Sequence, residues 1–539
     1  MPWGDTEHRT RHARTAAAMQ LVYVELQMSE PGTLTGPDLL RGITTDQLSE
    51  GQPLLGHADG QAVMVVREGG RIHATAATCT HYGGPLAEGL VADGTVRCPW
   101  HHACFDLQTG ESVRAPALTP LDCFEVLREG SLVRVGKKRE RHIRTPASAG
   151  PSSVAVVGAG PAGTACAETL RGEGYRGPIT LVGAELPGPV DRPNLSKDYL
   201  AGTAPEEWIP LRTAEALREH DIELLANDPA KAISLSDRKV QLASGRAIDW
   251  AALVLSTGAE AIRLPIEGAN LPHVHLLRTL GDARGIIGQL GAGKRAAIIG
   301  SSFIGLEAAA SLRKRGIDVI VVGPGSVPLE RSLGHGVGLF VQRMHENNGV
   351  VFRLGRRPVR ITPTEVTLSD GSSIPADLVV MGVGVRPRTN LAQAAGLRVQ
   401  DGIVVDDWLR TSMPDVYAAG DVARYPYEGA LVRIEHFAVA ERHGQEVART
   451  IVGRSTTPRR AVPFFWSQHY DVTLSYVGHS ERVETARVTG DLAKLDASVV
   501  YRDGGRVRAV LTVGRDRFAL EVERAMETGD AAALEALVS

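Results

Sequence analysis

Short stretches of alternating apolar and polar residues, each closed by turn residues, fill the first part of the chain. Ala62–Val66 is followed by Arg67-Glu-Gly-Gly, and Glu125–Leu127 is followed by Arg128-Glu-Gly. Short β segments bounded by glycine-rich turns are typical of antiparallel sheet. The pattern therefore predicts a small antiparallel β domain at residues 37–136, preceded by a disordered lead-in at 1–36.

The pattern changes after a basic and then Pro-, Ala- and Ser-rich segment at 137–152, which is predicted to be a linker. Val154-Ala-Val-Val is a continuous apolar run that leads into a glycine-rich turn and an alanine-rich helix, and a similar unit begins at Arg295. Continuous apolar strands of this kind are typical of parallel sheets covered by helices. Two α/β domains are predicted, one at 153–270 and again at 389–461, the other at 271–388.

The last segment, 462–539, returns to an antiparallel pattern. Strands are predicted at Val472–Val477 and Ser498–Tyr501, with a hairpin turn at Asp503-Gly-Gly505 and a final amphipathic helical stretch. This predicts a C-terminal α+β interface domain, through which a homodimer is possible.

Composition and charge argue against nucleic-acid-binding, membrane-spanning and disulfide-rich classes of protein. The chain has 539 residues and a net charge of −3, so no nucleic-acid partner is implied. No stretch approaches the roughly 20 apolar residues of a membrane helix, and the five cysteines do not form a disulfide framework. A cytoplasmic, multidomain protein without a membrane span is expected.

Two mixed ligand pairs, Cys79-Thr-His81 and Cys98-Pro-Trp-His101, lie in the first domain. Zinc sites also use two Cys and two His, but they usually group cysteine with cysteine. The surrounding sequences resemble the cluster loops of Rieske ferredoxins, in which Cys79 and Cys98 would bind one iron and His81 and His101 the other. By this resemblance, the disulfide cysteines of respiratory Rieske proteins would fall at Gly84 and Trp100, so the low-potential class is expected. His102 is expected either to contact a ligand residue or to be exposed, and Cys104, Cys123 and Cys166 are expected to be packing residues.

The first α/β domain carries a dinucleotide fingerprint. Gly158 permits a tight turn, Gly160 lets the backbone approach a pyrophosphate, and Gly163 allows close helix–strand packing, while Glu185 follows the next strand as a ribose-binding acid. Strand, turn, helix, strand and acid in this order indicate a nucleotide site rather than incidental glycines.

The second fingerprint, Gly300-Ser-Ser302-Phe-Ile-Gly305, has serine at its middle glycine. Gly323 occupies the position at which an acid would favour NADH, and no arginine directly follows it to bind a 2′-phosphate. NADH and NADPH therefore both stay open, with NADH weakly favoured.

Residues from about 153 onward resemble the FAD-dependent, NAD(P)H-oxidising ferredoxin reductases and the related apoptosis-inducing-factor family, which have a glutathione-reductase-like fold. The shared motifs include Asp191-Arg-Pro-Asn-Leu-Ser-Lys197, Ser256-Thr-Gly258, Tyr417-Ala-Ala-Gly-Asp421 and Arg433-Ile-Glu-His436. The resemblance implies a Lys197–Glu307 ion pair near flavin N5 and Trp466 beside the flavin ring, and these three residues are the predicted catalytic set. It implies that FAD and the nucleotide contact Gly158, Gly160, Pro161, Ala162, Gly163, Glu185, Arg192, Lys197, Thr257, Gly258, Arg263, Gly300, Ser302, Ile304, Gly305, Glu307, Gly384, Gly420, Asp421, Glu435, His436 and Trp466.

The function implied is electron transfer from NAD(P)H through FAD to the fused Rieske 2Fe-2S cluster, and on to an acceptor protein such as an oxygenase component or a cytochrome. No Cys-x-x-x-x-Cys follows the first fingerprint, which excludes a dithiol relay. Two alternative functions share part of these motifs. A flavoprotein redox sensor with little turnover would share these motifs. A terminal oxygenase would also need two histidines and a carboxylate for a mononuclear iron, and Glu435, His436 and His443 are the nearest such grouping.

Overall fold

The computed structural model describes residues 34–140, 150–291, 293–455, 461–481 and 484–539. By internal contacts the chain divides into two compact units, Met1–Ile143 and Arg144–Ser539. Residues 1–33 of the expected lead-in and 141–149 of the expected linker lie outside the described residues.

The first unit is built from three antiparallel sheets, as the alternating pattern predicts. Its strands are Ile43–Thr44, Leu54–Ala58, Gln61–Glu68, Arg71–Ala76, Leu90–Ala92, Thr95–Arg97, Cys104–Asp106, Ser112–Arg114, Phe124–Glu129 and Leu132–Lys138, with 3-10 helices Thr45–Gln47 and Leu86–Glu88. The last strand extends into the segment expected to be the linker. One of its cores packs Met64, Leu86 and Phe105 around the two cysteine-bearing loops, so the loops rest on a packed base.

The second unit contains two five-stranded parallel sheets. The first has the spatial order Ile222–Leu225, Ile179–Val182, Val154–Val157, Ala252–Leu255 and Val416–Ala418. The second has the order Val274–Leu276, Leu378–Met381, Arg295–Ile299, Asp318–Gly323 and Val351–Leu354. Val416–Ala418 joins the first sheet only after the second is complete, which matches the interrupted arrangement expected from the sequence.

The second unit also contains smaller sheets. They comprise Ala230–Ser234, Lys239–Leu242 and Ala247–Asp249; Pro358–Ile361, Glu365–Leu368 and Ser373–Pro375; Ala259–Ala261 with Val385–Pro387; and Ile403–Val404, Ala423–Tyr427 and Ala430–Val432.

Helices cover the faces of the sheets and supply the cavity walls described below. The α-helices are Pro161–Gly172, Asp198–Ala201, Ala214–Glu219, Leu280–Ile287, Phe303–Lys314, Glu330–Asn347, Asn390–Ala394, Phe437–Ile451, Asp516–Thr528 and Ala531–Val538, and the 3-10 helices are Pro193–Ser196, Glu206–Trp208, Gly420–Val422 and Leu492–Lys494. Among the described residues, none of the helices is both long and apolar enough to cross a bilayer.

The C-terminal part is one antiparallel sheet with two helices. Its strands lie in the order Phe464–His469, Val472–Gly478, Arg506–Val513, Asp496–Asp503 and Thr485–Asp491. The two predicted strands and the hairpin turn are present. The strand Thr485–Asp491 was not predicted, and it is exposed at every position, so it lacks the apolar alternation that would reveal it.

The two parallel sheets end in register, and this positions the site. Val157 lies opposite Val182 and Leu255, so the first turn begins where neighbouring strands also stop. Ile299 lies opposite Val322 and Met381 in the same way. Ligands of open parallel sheets bind at this carboxyl edge.

Candidate functional site

The first glycine-rich turn has the geometry that its sequence predicts. Gly158 has φ +116°, and a Cβ there would lie 2.1 Å from the Ser256 carbonyl oxygen. A Cβ at Gly163 would lie 2.0 Å from the Gly158 carbonyl oxygen, whereas one at Gly160 would meet nothing within 4 Å. The open space beside Gly160, at the start of the helix Pro161–Gly172, is where a pyrophosphate can approach backbone N–H groups.

The second turn repeats this backbone. Gly300 also has φ +116°, and a Cβ there would lie 2.2 Å from the Gly382 carbonyl oxygen. A Cβ at Gly305 would lie 2.2 Å from the Gly300 carbonyl oxygen. Ser302 precedes the helix Phe303–Lys314 and turns its hydroxyl away, donating to the Gly382 carbonyl over 3.0 Å. The serine therefore fits the turn without altering it.

Both turns border one cavity of about 1110 Å³. Of the contact residues that the sequence predicts, those on its wall are Gly158, Gly160, Pro161, Ala162, Glu185, Arg192, Lys197, Thr257, Gly258, Ser302, Ile304, Glu307, Gly384, Gly420, Asp421, Glu435, His436 and Trp466.

Four predicted contact residues lie elsewhere. Gly163, Gly300 and Gly305 are behind the wall, where they let helix and strand approach. Arg263 does not line the cavity; its guanidinium donates to the carbonyls of Ala269 and Val274 and so holds a loop. For these four residues, direct contact with a cofactor has no support in the cavity geometry.

Lys197 and Glu307 meet where the two α/β domains join. The Lys197 Nζ lies 2.8 Å from Glu307 Oε2, and the two side chains are 12% and 3% exposed. Ser196 donates to the same carboxylate oxygen over 2.6 Å, and Ser467 donates to the other over 2.6 Å. A carboxylate held by three donors in a buried place is well satisfied, and its position is fixed.

Two further ion pairs shape the flavin half of the cavity. Arg192 and Glu185 lie 2.8 Å apart, and Arg278 and Asp421 lie 2.6 Å apart. The Arg278 Nε is buried and has no hydrogen-bond partner among the described residues. A polar ligand reaching this wall would supply the missing acceptor.

Aromatic groups form another part of the wall. His436 and Phe465 stack with ring centroids 4.2 Å apart and planes 10° from parallel, and Trp466 lies beside Phe464 and Phe437. Burial lowers the pKa of His436 to about 3, so the imidazole is neutral at pH 7. A flat, mostly uncharged wall suits a planar ring system.

The four predicted metal ligands of the first unit converge as two pairs. The Nδ1 atoms of His81 and His101 lie 3.2 Å apart. Cys79 and Cys98 are both 1% exposed, and the neighbouring Cys98 thiol, followed by burial, raises the pKa of Cys79 well above its usual range. Two thiols held together and two imidazole nitrogens held together form the ligand arrangement of a Rieske cluster.

Backbone hydrogen bonds fix both ligand loops. The Cys79 N–H donates to Gly84 and the Cys98 N–H donates to Ala103. A Cβ at Gly84 would lie 2.6 Å from Cys98 Sγ and 3.2 Å from the Trp100 ring, so glycine is required there. His102, for which the sequence allows either contact with a ligand residue or exposure, is buried.

The remaining cysteines behave as the sequence predicts. Cys104, Cys123 and Cys166 are free and buried, and burial raises the pKa of Cys166 to about 12 and that of Cys123 to about 11. The raised pKa values keep the Cys123 and Cys166 thiols protonated and unreactive at neutral pH.

The three residues weighed for a mononuclear iron have other partners. Glu435 pairs with Arg433, His436 stacks on Phe465, and the His443 Nδ1 accepts from the Gly420 N–H over 3.4 Å. Within the described ranges no three His, Cys, Asp or Glu side chains are grouped around one ion position.

Sequence reasoning missed several residues. Ser196 and Ser467 hold Glu307, Arg278 holds Asp421, and His469 and His345 extend the buried network. Ser467 and His469 alternate in a strand directly after Trp466, which was a usable signal. His345 lies in a distant helix, and no local pattern connects it to the site.

Two parallel nucleotide-binding sheets that open on one cavity, together with a unit holding paired Cys and His ligands, define an oxidoreductase that uses a flavin, a pyridine nucleotide and an iron–sulfur centre. Comparison with known proteins agrees. Residues 152–444 match the pyridine nucleotide-disulphide oxidoreductase family, and the chain belongs to that family. Residues 41–125 match the Rieske [2Fe-2S] domain, and 464–538 match the reductase C-terminal domain.

Individual relatives span most of the chain. It is 32% identical over 492 residues to apoptosis-inducing factor 3 of Homo sapiens, covering 87% of this chain and 80% of that protein. It is 37% identical to rhodocoxin reductase of Rhodococcus erythropolis, covering 70% of this chain and 90% of the relative. Among solved structures, the covalent putidaredoxin reductase–putidaredoxin complex matches with a TM-score of 0.68 at 37% identity, covering 70% of this chain and 94% of that chain. FAD, NADH or NADPH, and a Rieske 2Fe-2S cluster are therefore the cofactors and substrate of this chain.

Proposed function

We propose that the chain takes electrons from NADH, passes them through FAD to its own Rieske cluster, and delivers them to an acceptor protein such as an oxygenase component or a cytochrome. One observation carries this proposal: both dinucleotide turns border a single cavity, with the Lys197–Glu307 pair at their junction. A nucleotide and a flavin bound to their own turns would meet beside that pair.

FAD, when bound, supplies the chemistry that accepts two electrons as hydride and releases them singly. The side chains of the protein orient the flavin and the nucleotide and balance the negative charge of the reduced flavin. Lys197 brings a cation to a largely buried position, where it stabilises negative charge more strongly than it would in water. Glu307 holds the Lys197 ammonium group in place. Because Glu307 lies in the helix Phe303–Lys314, which follows the second glycine-rich turn, it links nucleotide binding to the flavin half of the cavity.

The aromatic wall orients the reacting rings and excludes water. His436 stacks on Phe465, and Trp466 faces the same cavity. Since burial holds the pKa of His436 at about 3, this wall adds no positive charge between pH 5 and 9. Positive charge near the aromatic wall therefore comes from Lys197 and the cavity arginines, not from His436.

The preference for NADH follows from the strand end at Gly323. Arg356 lies close, because its N–H donates to the Gly323 carbonyl over 3.2 Å, but its guanidinium is paired with Asp370. A 2′-phosphate would have to compete with that carboxylate. Homodimerisation through residues 462–539 and a cytoplasmic location stay predictions.

An anaerobic titration tests the order of transfer. NADH added to the holoprotein should first bleach the flavin absorbance and then produce the electron paramagnetic signal of a reduced Rieske cluster, and NADPH should do so with a higher KM. Replacing His101 with Cys should preserve flavin bleaching but remove or change the signal. A cluster that stays oxidised after the flavin is fully reduced would overturn the proposal. A long-lived reduced flavin with negligible reduction of ferricyanide or cytochrome c would instead favour the sensor.

A further inference from the structure

The end of the second strand in the second dinucleotide-binding half leaves no room for a side chain. Gly323 ends the strand Asp318–Gly323, and a Cβ built on it would lie 2.3 Å from the Ser301 hydroxyl oxygen and 2.8 Å from the Ser301 Cβ. Both distances are far shorter than van der Waals contact. An acidic side chain at 323, which would bind ribose hydroxyls in the usual arrangement, is therefore excluded while Ser301 is present.

The first half indicates what these two positions face. Its matching residues are Ala159 and Gly183, and a Cβ on Gly183 would lie 3.0 Å from the Ala159 Cβ. Both residues border the cavity together with Glu185, the acid that follows this strand. Because the two glycine-rich turns have the same backbone geometry, Ser301 lies where the adenosine ribose of a nucleotide on the second turn would approach.

The loop after Gly323 offers, within the described residues, no uncommitted carboxylate in place of that acid. Gly325 occupies the position, two residues after the strand-end glycine, that Glu185 occupies in the first half. Glu330 approaches this loop, with Oε2 3.2 Å from the Cβ position of Gly325. Its two carboxylate oxygens, however, accept from the N–H and the hydroxyl of Ser326 over 2.9 Å and 2.7 Å. A ribose on this half therefore meets a different group.

Ser301 supplies a hydroxyl at this place. The neighbouring Ser302 donates its hydroxyl proton to the Gly382 carbonyl over 3.0 Å, whereas the Ser301 hydroxyl has no partner within the described ranges. Ser301 is part-exposed and lies outside the cavity wall, which suits the adenosine end of a nucleotide whose nicotinamide end enters the cavity. A hydroxyl both donates and accepts hydrogen bonds, so it can bond a ribose hydroxyl and does not repel a phosphate.

An ion pair adjoins the same strand end. The Arg356 N–H donates to the Gly323 carbonyl over 3.2 Å, and the Arg356 guanidinium pairs with Asp370. Asp370 is held in turn by Ser372, whose N–H and hydroxyl donate to Oδ1 over 3.1 Å and 2.6 Å. These bonds lower the pKa of Asp370, so its carboxylate is charged at pH 7. A 2′-phosphate that reaches Arg356 has to displace an anchored anion.

We propose that the Ser301 hydroxyl bonds the adenosine ribose of the pyridine nucleotide in place of an acid, and that Asp370, by holding Arg356, sets the preference for NADH over NADPH. Ser301 is neutral and accepts either nucleotide. The preference therefore comes from competition at Arg356, and an arginine released from Asp370 would favour the 2′-phosphate. This inference rests on the proposed function in one respect, because it assigns the second turn to the pyridine nucleotide.

The first test measures nucleotide binding without turnover. NAD⁺ and NADP⁺ are titrated into the oxidised holoprotein by calorimetry, where no electron can be transferred. Asp370→Asn should tighten NADP⁺ binding by at least about 10-fold and change NAD⁺ binding by less than about 3-fold. Asp318→Asn is the matched control, because Asp318 begins the same strand at its opposite end and pairs with Arg313 over 3.0 Å. Unchanged NADP⁺ affinity in Asp370→Asn would overturn the role of Asp370.

The second test exchanges the side chains across the contact. Gly323→Glu alone forces a Cβ into Ser301 and should weaken binding of both nucleotides by at least about 10-fold. The double variant Ser301→Gly/Gly323→Glu makes room for the acid. It should bind NAD⁺ within about 3-fold of wild type and NADP⁺ at least about 10-fold more weakly, since a carboxylate repels the 2′-phosphate. A single variant that folds and binds NAD⁺ as tightly as the double variant would overturn the steric argument, whereas a single variant that fails to fold beside a folded double variant supports it.

The third test removes the hydroxyl alone. Ser301→Ala keeps the Cβ and the backbone turn, so it should leave the flavin absorbance and the Tm as in wild type. The Kd values for NAD⁺ and NADP⁺ should both rise by about 3- to 10-fold, the range expected for one lost hydrogen bond. An unchanged Kd for NAD⁺ would overturn the assignment of Ser301.

These measurements separate the inference from the proposed function. Holoprotein that shows the expected binding pattern but whose flavin is not reduced by NADH would contradict the proposed function and leave the assignment of Ser301 and Asp370 in place. Holoprotein whose flavin is reduced normally, but whose affinities are unchanged in Ser301→Ala and Asp370→Asn, would contradict the inference alone.

Discussion

The two dinucleotide-binding halves share one backbone turn and differ in the side chains around it. Gly158 and Gly300 have the same φ of +116°, and in each half the last glycine of the fingerprint lies against the carbonyl oxygen of the first. The helices that follow, Pro161–Gly172 and Phe303–Lys314, each have 12 residues. The same glycine-dependent backbone turn is thus built twice.

The difference that links the two halves lies two residues after the last glycine. At this point the first half has Ala165, which is fully buried, and the second has Glu307, which reaches Lys197 of the first half. Likewise, Glu185 with its partner Arg192 follows the second strand of the first half, while Gly323 ends the matching strand of the second. The two halves therefore share a backbone turn and differ in the side chains that their helices and strand ends contribute.

The largest effect is expected where the two halves meet. Lys197→Met removes the buried cation and should slow reduction of bound flavin by NADH by about 100-fold or more, because a charge in a dry site stabilises the reduced state strongly. Anaerobic stopped-flow absorbance measures the rate. Arg449→Met breaks another buried ion pair, 2.9 Å from Glu173 and away from the cavity, and should lower stability with little effect on that rate. Equal slowing in both variants would remove the special role of Lys197.

A second prediction concerns a buried carboxyl in the flavin half. Burial raises the pKa of Asp191 to about 7, against the opposing effect of Lys197, and Asp191 Oδ1 lacks a partner in the described part of the chain. A raised acid pKa means that stability is retained below about pH 4 and lost as the pH rises through 7. Asp191→Asn should not show this loss. The unfolding free energy of the variant, relative to that of wild type, should therefore rise by a few kcal/mol between pH 5 and 8. Parallel urea-unfolding curves over that range would contradict it.

Substituting the last glycine of each fingerprint should affect FAD binding in one half and NADH binding in the other. Gly163→Ala and Gly305→Ala each force a Cβ against a carbonyl oxygen, at a cost of about 1–3 kcal/mol. Gly163→Ala should purify with little FAD, whereas Gly305→Ala should keep its flavin absorbance and raise the KM for NADH about 10-fold. Gly172→Ala, where a Cβ meets nothing within 4 Å, is the control and should match wild type in both. Loss of FAD from both variants would mean that the halves do not act separately.

The smallest effect is expected at the one fingerprint position that differs. Ser302→Gly removes the hydrogen bond to the Gly382 carbonyl, worth about 0.5–1.5 kcal/mol, and leaves the turn itself unchanged. The KM for NADH should change less than about 3-fold, as measured by steady-state assays. Ser302→Ala distinguishes the hydroxyl from the Cβ. A 10-fold change in either variant would show that this position sets nucleotide affinity.

Local motifs made most of the architecture predictable. The strand–turn–helix units at Val154 and Arg295 predicted both parallel sheets, because each unit depends on residues close in sequence. The mixed Cys–His pairs predicted four metal ligands, and the structure brings the two imidazole nitrogens within 3.2 Å of each other. Resemblance to a family placed Lys197 and Glu307 together, and the structure has them 2.8 Å apart.

What could not be predicted depends on contacts between distant elements. Arg263 was expected at the flavin, but its guanidinium holds the carbonyls of Ala269 and Val274, a choice that only the folded loop determines. His345 joins His469 across 124 positions of sequence. The strand Thr485–Asp491 is held by backbone pairing to Asp496–Asp503 and carries no apolar face.

The close fit of Gly84 against Cys98 Sγ and the Trp100 ring determines whether a disulfide can be built between positions 84 and 100. These are the two positions at which the respiratory proteins of this type carry their covalent staple. A cysteine introduced at 84 alone would collide with the indole, and one at 100 alone would gain no bond. Replacing Trp100 removes the ring but leaves Cys98 Sγ 2.6 Å from any Cβ at 84, so a disulfide between these two positions requires the ligand loop itself to shift.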